Sequence, residues 1–87
     1  MYVLVVYDTA VKRNPLILRT CRQYLHHVQR SVFEGDLSEA QLRRFRAAVE
    51  QAIDSGYDSV LVYTFQPGTT GQRQEWGRTQ PAPLDIL

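Results

Sequence analysis

YVLVVY at residues 2–7 and SVLVYTF at residues 59–65 are unbroken runs of apolar, β-branched and aromatic side chains. Such runs mark strands in the interior of a sheet. The first run stops at Asp8, and residues 8–14, DTAVKRN, make a polar connection. Asn14 then supplies an N-cap residue and Pro15 a first helical position, so a helix is expected there. Ile17, Leu18, Cys21, Tyr24 and Leu25 fall at helical spacing and give it one apolar stripe. Residues 27–37, HVQRSVFEGDL, mix polar and β-branched residues without clean alternation, which implies a bend or bulge near Gln29 to Ser31 between two short paired strands. Ser38 to Gln41, SEAQ, reads as a capping box with Leu37 and Leu42 as its staple. The inner stripe of that second helix is Leu42, Phe45, Val49, Ala52 and Ile53, and Gly56 offers its stop.

The order strand, helix, strand, strand, helix, strand predicts an α+β, ferredoxin-like domain over residues 1–65, an antiparallel sheet with both helices on one face. Both quoted strands are apolar on both faces, yet the helices cover only one, so a second copy packed sheet to sheet is expected. Residues 66–87 hold three of the four prolines and three of the five glycines and read as a C-terminal extension. A short edge strand at about 73–76, available to the partner's sheet, and a tail, PAPLDIL, are expected within it.

At 87 residues the chain has room for one small domain, which buries only about 60% of its unfolded surface and gains from a partner subunit. The single cysteine, Cys21, excludes an internal disulfide and leaves too few thiolates for a structural zinc site. Net charge is only +1, so bulk charge gives no sign of nucleic acid and any basic surface must come from local clustering. No stretch approaches the ~18 apolar residues of a membrane span and the start lacks signal-peptide features, so a cytoplasmic protein is expected. No Walker loop, dinucleotide fingerprint, HExxH or zinc pattern occurs.

Asp8 is the sharpest candidate for chemistry, because a carboxylate directly after a buried strand can offer oxygen to a hard divalent cation. A turn-forming aspartate is the ordinary alternative, and one carboxylate makes no metal site by itself. A two-fold axis beside the first strand would bring two Asp8 copies together. Tyr7 next to it is a candidate to orient a water or phosphate. Lys12 and Arg13 follow in the loop, either gripping a backbone phosphate or standing as solvated charges. Arg43, Arg44 and Arg46 crowd the second helix, and with Arg19, Arg22 and Arg30 they form a candidate basic track or a solvated face. His26 and His27 point to opposite faces of a strand and cannot ligate one metal. Cys21 reads as a small core residue, and Ser31 has no base beside it in sequence.

In these same residues the chain resembles the CRISPR-associated protein two family: an apolar strand ending in Tyr7-Asp8, a basic loop with Lys12 and Arg13, then VQRSVFEG at 28–35, a capped helix and DSVLVY at 58–63. The resemblance implies a ferredoxin-like homodimer with Asp8 of each chain facing the other across a cleft. It implies a magnesium-dependent endonuclease, manganese being an alternative ion, that acts on RNA or double-stranded DNA in spacer acquisition. It also implies binding to the integrase, CRISPR-associated protein one. Ser31 and Phe33 match the SVF motif at the family's nucleic-acid cleft. His27 stands where Arg or Lys is expected in relatives, which implies weaker nuclease activity. Two other functions fit the resemblance: a non-catalytic DNA-binding scaffold of the integration complex, and a toxin-type ribonuclease like virulence-associated protein D.

Overall fold

Strand β1 (Tyr2–Asp8) runs through the middle of the sheet in the computed structural model, which describes residues 1–79. Its side chains alternate between two environments: Val3, Val5 and Tyr7 are buried, whereas Leu4 and Val6 are half-covered and Asp8 is exposed. A 3₁₀ turn at Val11–Arg13 leads into helix α1 (Asn14–Arg22), followed by β2 (His26–Gln29), β3 (Val32–Asp36), helix α2 (Glu39–Ala52), β4 (Ser59–Phe65) and β5 (Gln72–Gly77). All strands pair antiparallel in the order β2-β3-β1-β4-β5. This is the expected α+β ferredoxin-like arrangement with one strand added at the β4 edge.

Register explains the core. Val5 pairs with Phe33 on one side and Val62 on the other, and Val60 pairs with Tyr7 and Trp76. These residues share one face and bury Ile17 and Cys21 of α1 with Phe45, Val49 and Ala52 of α2. The opposite face carries Tyr2, Leu4, Val6, Leu61, Tyr63 and Phe65, and it leaves Tyr2 39% and Phe65 42% exposed.

Several local features differ from the sequence-based expectation. The polar connection forms a 3₁₀ turn before helix α1, and Asn14, expected as the N-cap, lies inside the helix with Pro15 in its first turn, Arg13 standing at the N-cap position without a side-chain cap hydrogen bond. It ends at Arg22, so Tyr24 and Leu25 reach the core from the following turn, Tyr24 packing on Phe45 at 5.3 Å between ring centroids. The capping box of α2 is formed as read: Ser38 Oγ accepts from the Gln41 N–H at 3.1 Å, and the Ser38 N–H donates to Gln41 Oε1 at 2.8 Å. Helix α2 stops at Ala52, ahead of Gly56, which is not among the positive-φ glycines. The stop is made by carboxylates instead: the Asp54 N–H donates to Asp58 Oδ2 at 2.8 Å and the Gly56 N–H to Asp54 Oδ1 at 3.0 Å. Between β2 and β3 the register shifts from His27 to Gln29, and Arg30 turns the chain at φ 43°.

The expected edge strand at 73–76 spans Gln72–Gly77 and pairs antiparallel with β4 of its own chain. Trp76 is 1% exposed and packs on Phe45 at 5.6 Å, so this segment belongs to the core of the fold rather than to an extension beyond residue 65. The PAPLDIL tail lies outside the described residues.

Candidate active site

β1 presents Asp8 at its C-terminal end, in register with Ser59 of β4 and on the face of Leu4 and Val6. Tyr7 points the other way because side chains alternate along a strand. It is 9% exposed and stacks on Phe33 at 6.2 Å. Burial pushes its hydroxyl pKa up, with a smaller contribution from nearby Cys21. The Tyr7 and Asp8 side chains therefore leave the strand on opposite faces, and Tyr7, expected to act beside the carboxylate, packs in the core instead.

Ser31 does come to the Asp8 end of the sheet, since its carbonyl accepts the Tyr7 N–H at 3.1 Å. Arg30, in the same turn, is exposed there. Phe33 is placed otherwise than expected for a nucleic-acid contact. It is 0% exposed, lying between Tyr7 and His27, whose ring is 4.7 Å away. Its register with Val5 puts it on the helix-facing side, and that is the physical reason it is core.

The loop after Asp8 separates its two cations. Lys12 is exposed. Arg13 is held by Asp58, its Nε donating to Oδ2 at 2.5 Å and its Nη2 to Oδ1 at 3.1 Å, and its guanidinium carbon lies 5.8 Å from the Tyr57 ring centre. Burial works to raise the Asp58 pKa, but the Arg13 hydrogen bonds and the Asp54 and Ala10 N–H groups outweigh it, and the carboxyl is held below its ordinary range. Arg13 is correspondingly raised by the hydrogen bond to Asp58.

Arg19, Arg43 and Arg44 are exposed on the helical layer, across the sheet from the face that Asp8 shares, so the structure does not bring them to the acidic residue. Arg46 pairs with Glu50 at 3.1 Å and caps the Trp76 ring at 5.5 Å. Among the described residues no group of three or more His, Cys, Asp or Glu side chains could hold a metal ion. Asp8 of one chain is a single carboxylate, so a cation that takes six oxygen ligands would have to fill most of its positions from elsewhere. Burial pushes the Cys21 thiol up to about 12, which suits a core residue and not a nucleophile. No helix among the described residues is long and apolar enough to cross a membrane.

Sequence reasoning gave Asp58 and Arg78 no role. Asp58 was visible as the first residue of DSVLVY, yet its partners lie up to 48 residues away. Arg78 reaches the same end because its N–H donates to the Asp58 carbonyl at 2.7 Å.

Fold and site together define a ferredoxin-like α+β protein that presents one carboxylate at the end of its central strand, beside a basic loop. The chain belongs to the Cas2 family, since the family model described as CRISPR associated protein Cas2 matches residues 1–73. The CRISPR-associated endoribonuclease Cas2 of Frankia alni is 59% identical over 63 residues, 72% of each chain. That of Methanothermobacter thermautotrophicus is 39% identical over 87 residues, covering 100% of this chain and 94% of its own. A crystal structure of a Cas2 superposes with a TM-score of 0.68 at 33% identity, covering 100% of this chain and 97% of that one. The crystal structure of Streptococcus pyogenes Cas2 at pH 6.5 gives 0.70 at 31% identity, covering 78% and 89%.

Proposed function

We propose that the chain is a homodimeric, divalent-metal-dependent endonuclease of CRISPR spacer acquisition that cuts RNA in preference to double-stranded DNA and binds the integrase, CRISPR-associated protein one. The observation that carries this reading is the exposed Asp8 at the end of β1, on the face whose apolar side chains have no helix over them. RNA comes first because the relatives are named endoribonucleases. A second copy packed on that face supplies the second Asp8, and two carboxylates suit a hard cation such as magnesium or manganese. When bound, the metal supplies Lewis acidity toward a phosphate oxygen and a water of lowered pKa. Asp8 of each chain holds the ion, while Lys12 and Arg30 neutralise the flanking phosphates.

A second reading, a scaffold that holds duplex DNA without cutting it, is favoured by the exposed Arg19, Arg43 and Arg44 on the helical layer. The test is cleavage of labelled single-stranded RNA and double-stranded DNA with magnesium, with EDTA, and by Asp8→Asn, on protein whose mass is checked by light scattering. Cutting that requires magnesium and vanishes in Asp8→Asn is expected. A folded dimer that binds without cutting would transfer the function to the scaffold, and a strict monomer would remove the paired site.

A further inference from the structure

Asp58 is the only fully buried carboxylate among the described residues. A carboxylate has about four acceptor positions, and four donors meet this one. Oδ1 takes the Ala10 N–H at 2.8 Å and Arg13 Nη2 at 3.1 Å, and Oδ2 takes Arg13 Nε at 2.5 Å and the Asp54 N–H at 2.8 Å. Three of these donors lie in the loop that follows Asp8. The same loop is tied at its base by a 2.5 Å hydrogen bond between the Thr9 hydroxyl and the Asn14 side-chain amide.

The placement bears on the acidic residue. Ser59, next to Asp58, is the register partner of Asp8, and Ala10 lies two residues beyond Asp8. The backbone leaving the sheet at Asp8 is therefore captured by a buried charge within two residues. An ion pair that served stability alone would need only the Arg13 fork. The Ala10 contact adds a constraint on the path of the main chain.

We infer that Asp58 and Arg13 form a positioning pair, which fixes the Thr9–Arg13 backbone so that Asp8 and Lys12 are presented in one geometry, and that Arg13 itself grips no phosphate. The inference rests on the endonuclease reading above and deepens it. Both side chains act through the loop and neither is a catalytic residue.

Arg13→Gln, Asp58→Asn and the double variant test it, with full-length protein, magnesium and a labelled single-stranded RNA. Arg13→Gln is expected to speed exchange of the Ala10 amide hydrogen and to lower kcat by about 10- to 100-fold with KM nearly unchanged. The slope of log Kd against log salt should not move. The double variant should be no worse than the worse single one, because the two residues work as a unit. A slope reduced by about 0.7, the value for one lost phosphate contact on a single strand, with Ala10 exchange unchanged, would make Arg13 a phosphate ligand and overturn the pair. Losses that multiply in the double variant would overturn it too. The exchange and salt measurements need no cleavage, so a wild-type protein that fails to cut would sink the endonuclease reading while these arms still decide the pair. If Asp58→Asn does not fold, Arg13→Gln carries the test alone.

Discussion

Replacing Phe33 by alanine separates a core role from a nucleic-acid role for the aromatic of the SVF segment. Phe33 is fully buried between Tyr7 and His27 and sits in register with Val5 at the centre of the helix-facing side. A buried phenylalanine removes at least ~150 Å² from water, and at about 25 cal/mol per Å² this is about 4 kcal/mol. Measured Phe→Ala losses of about 3–5 kcal/mol agree. With a urea m-value of about 1 kcal/mol/M for so small a domain, the midpoint should fall by about 3–4 M. Trp76 is the chain's one tryptophan and is 1% exposed, so its fluorescence reports the transition at a fixed protein concentration. Phe33→Leu keeps most of the volume and should cost about 1 kcal/mol, leaving a folded protein with undiminished RNA affinity. An unchanged midpoint for Phe33→Ala together with lost RNA binding would refute the placement of this side chain in the core.

Gly77 stands at φ 88°, and a Cβ there would lie 2.4 Å from the Asp58 carbonyl oxygen and 2.9 Å from Ile53 Cδ1. Gly77→Ala should cost more than 2 kcal/mol, beyond the ~1–2 kcal/mol of the left-handed conformation alone. Gly68→Ala, at φ 78° with nothing within 4 Å, should cost only the conformational part, and equal melting temperatures for the two would contradict the close approach at Gly77. The lowered pKa of Asp58 gives a pH signature. The unfolded carboxyl, near ~3.9, binds protons first, so the stability contributed by Asp58 is present above that value and is lost as pH falls through the lower folded value. The acid limb of a plot of Tm against pH should be shallower in Asp58→Asn than in wild type, and parallel limbs would contradict the assignment.

The elements of this fold were readable because each has a local cause. The runs at 2–7 and 59–65 became strands, and SEAQ became a formed capping box, since neighbouring residues alone determine both features. Trp76 shows where local reading stopped: RQEW pointed to an edge strand, but only the register of β5 with β4 puts the indole into the core against Phe45. The site was legible as Asp8 and less so around it. Strand alternation, available from sequence, already separates Tyr7 from Asp8. The bond between Arg13 and Asp58 spans 45 residues, and no periodicity encodes such a pairing. Gly56 misled because glycine is one way to end a helix, whereas here Asp54 and Asp58 satisfy the turn with their carboxylates.

Among the described residues the two outer strands of the sheet have a neighbouring strand on one side only, and such rims invite lateral growth into larger ribbons. Here each rim is blunted by a different means. β2 is four residues long and kinked by the shift at His27 to Gln29, which makes a poor template for a further strand. β5 alternates Arg73 and Glu75 along one side, so a strand arriving there must desolvate charges of both signs. With growth at the rims discouraged, the face of Leu4, Val6, Leu61 and Tyr63 is left for the pairing of copies proposed above, and that proposal predicts finite pairs in place of fibres in crowded solutions.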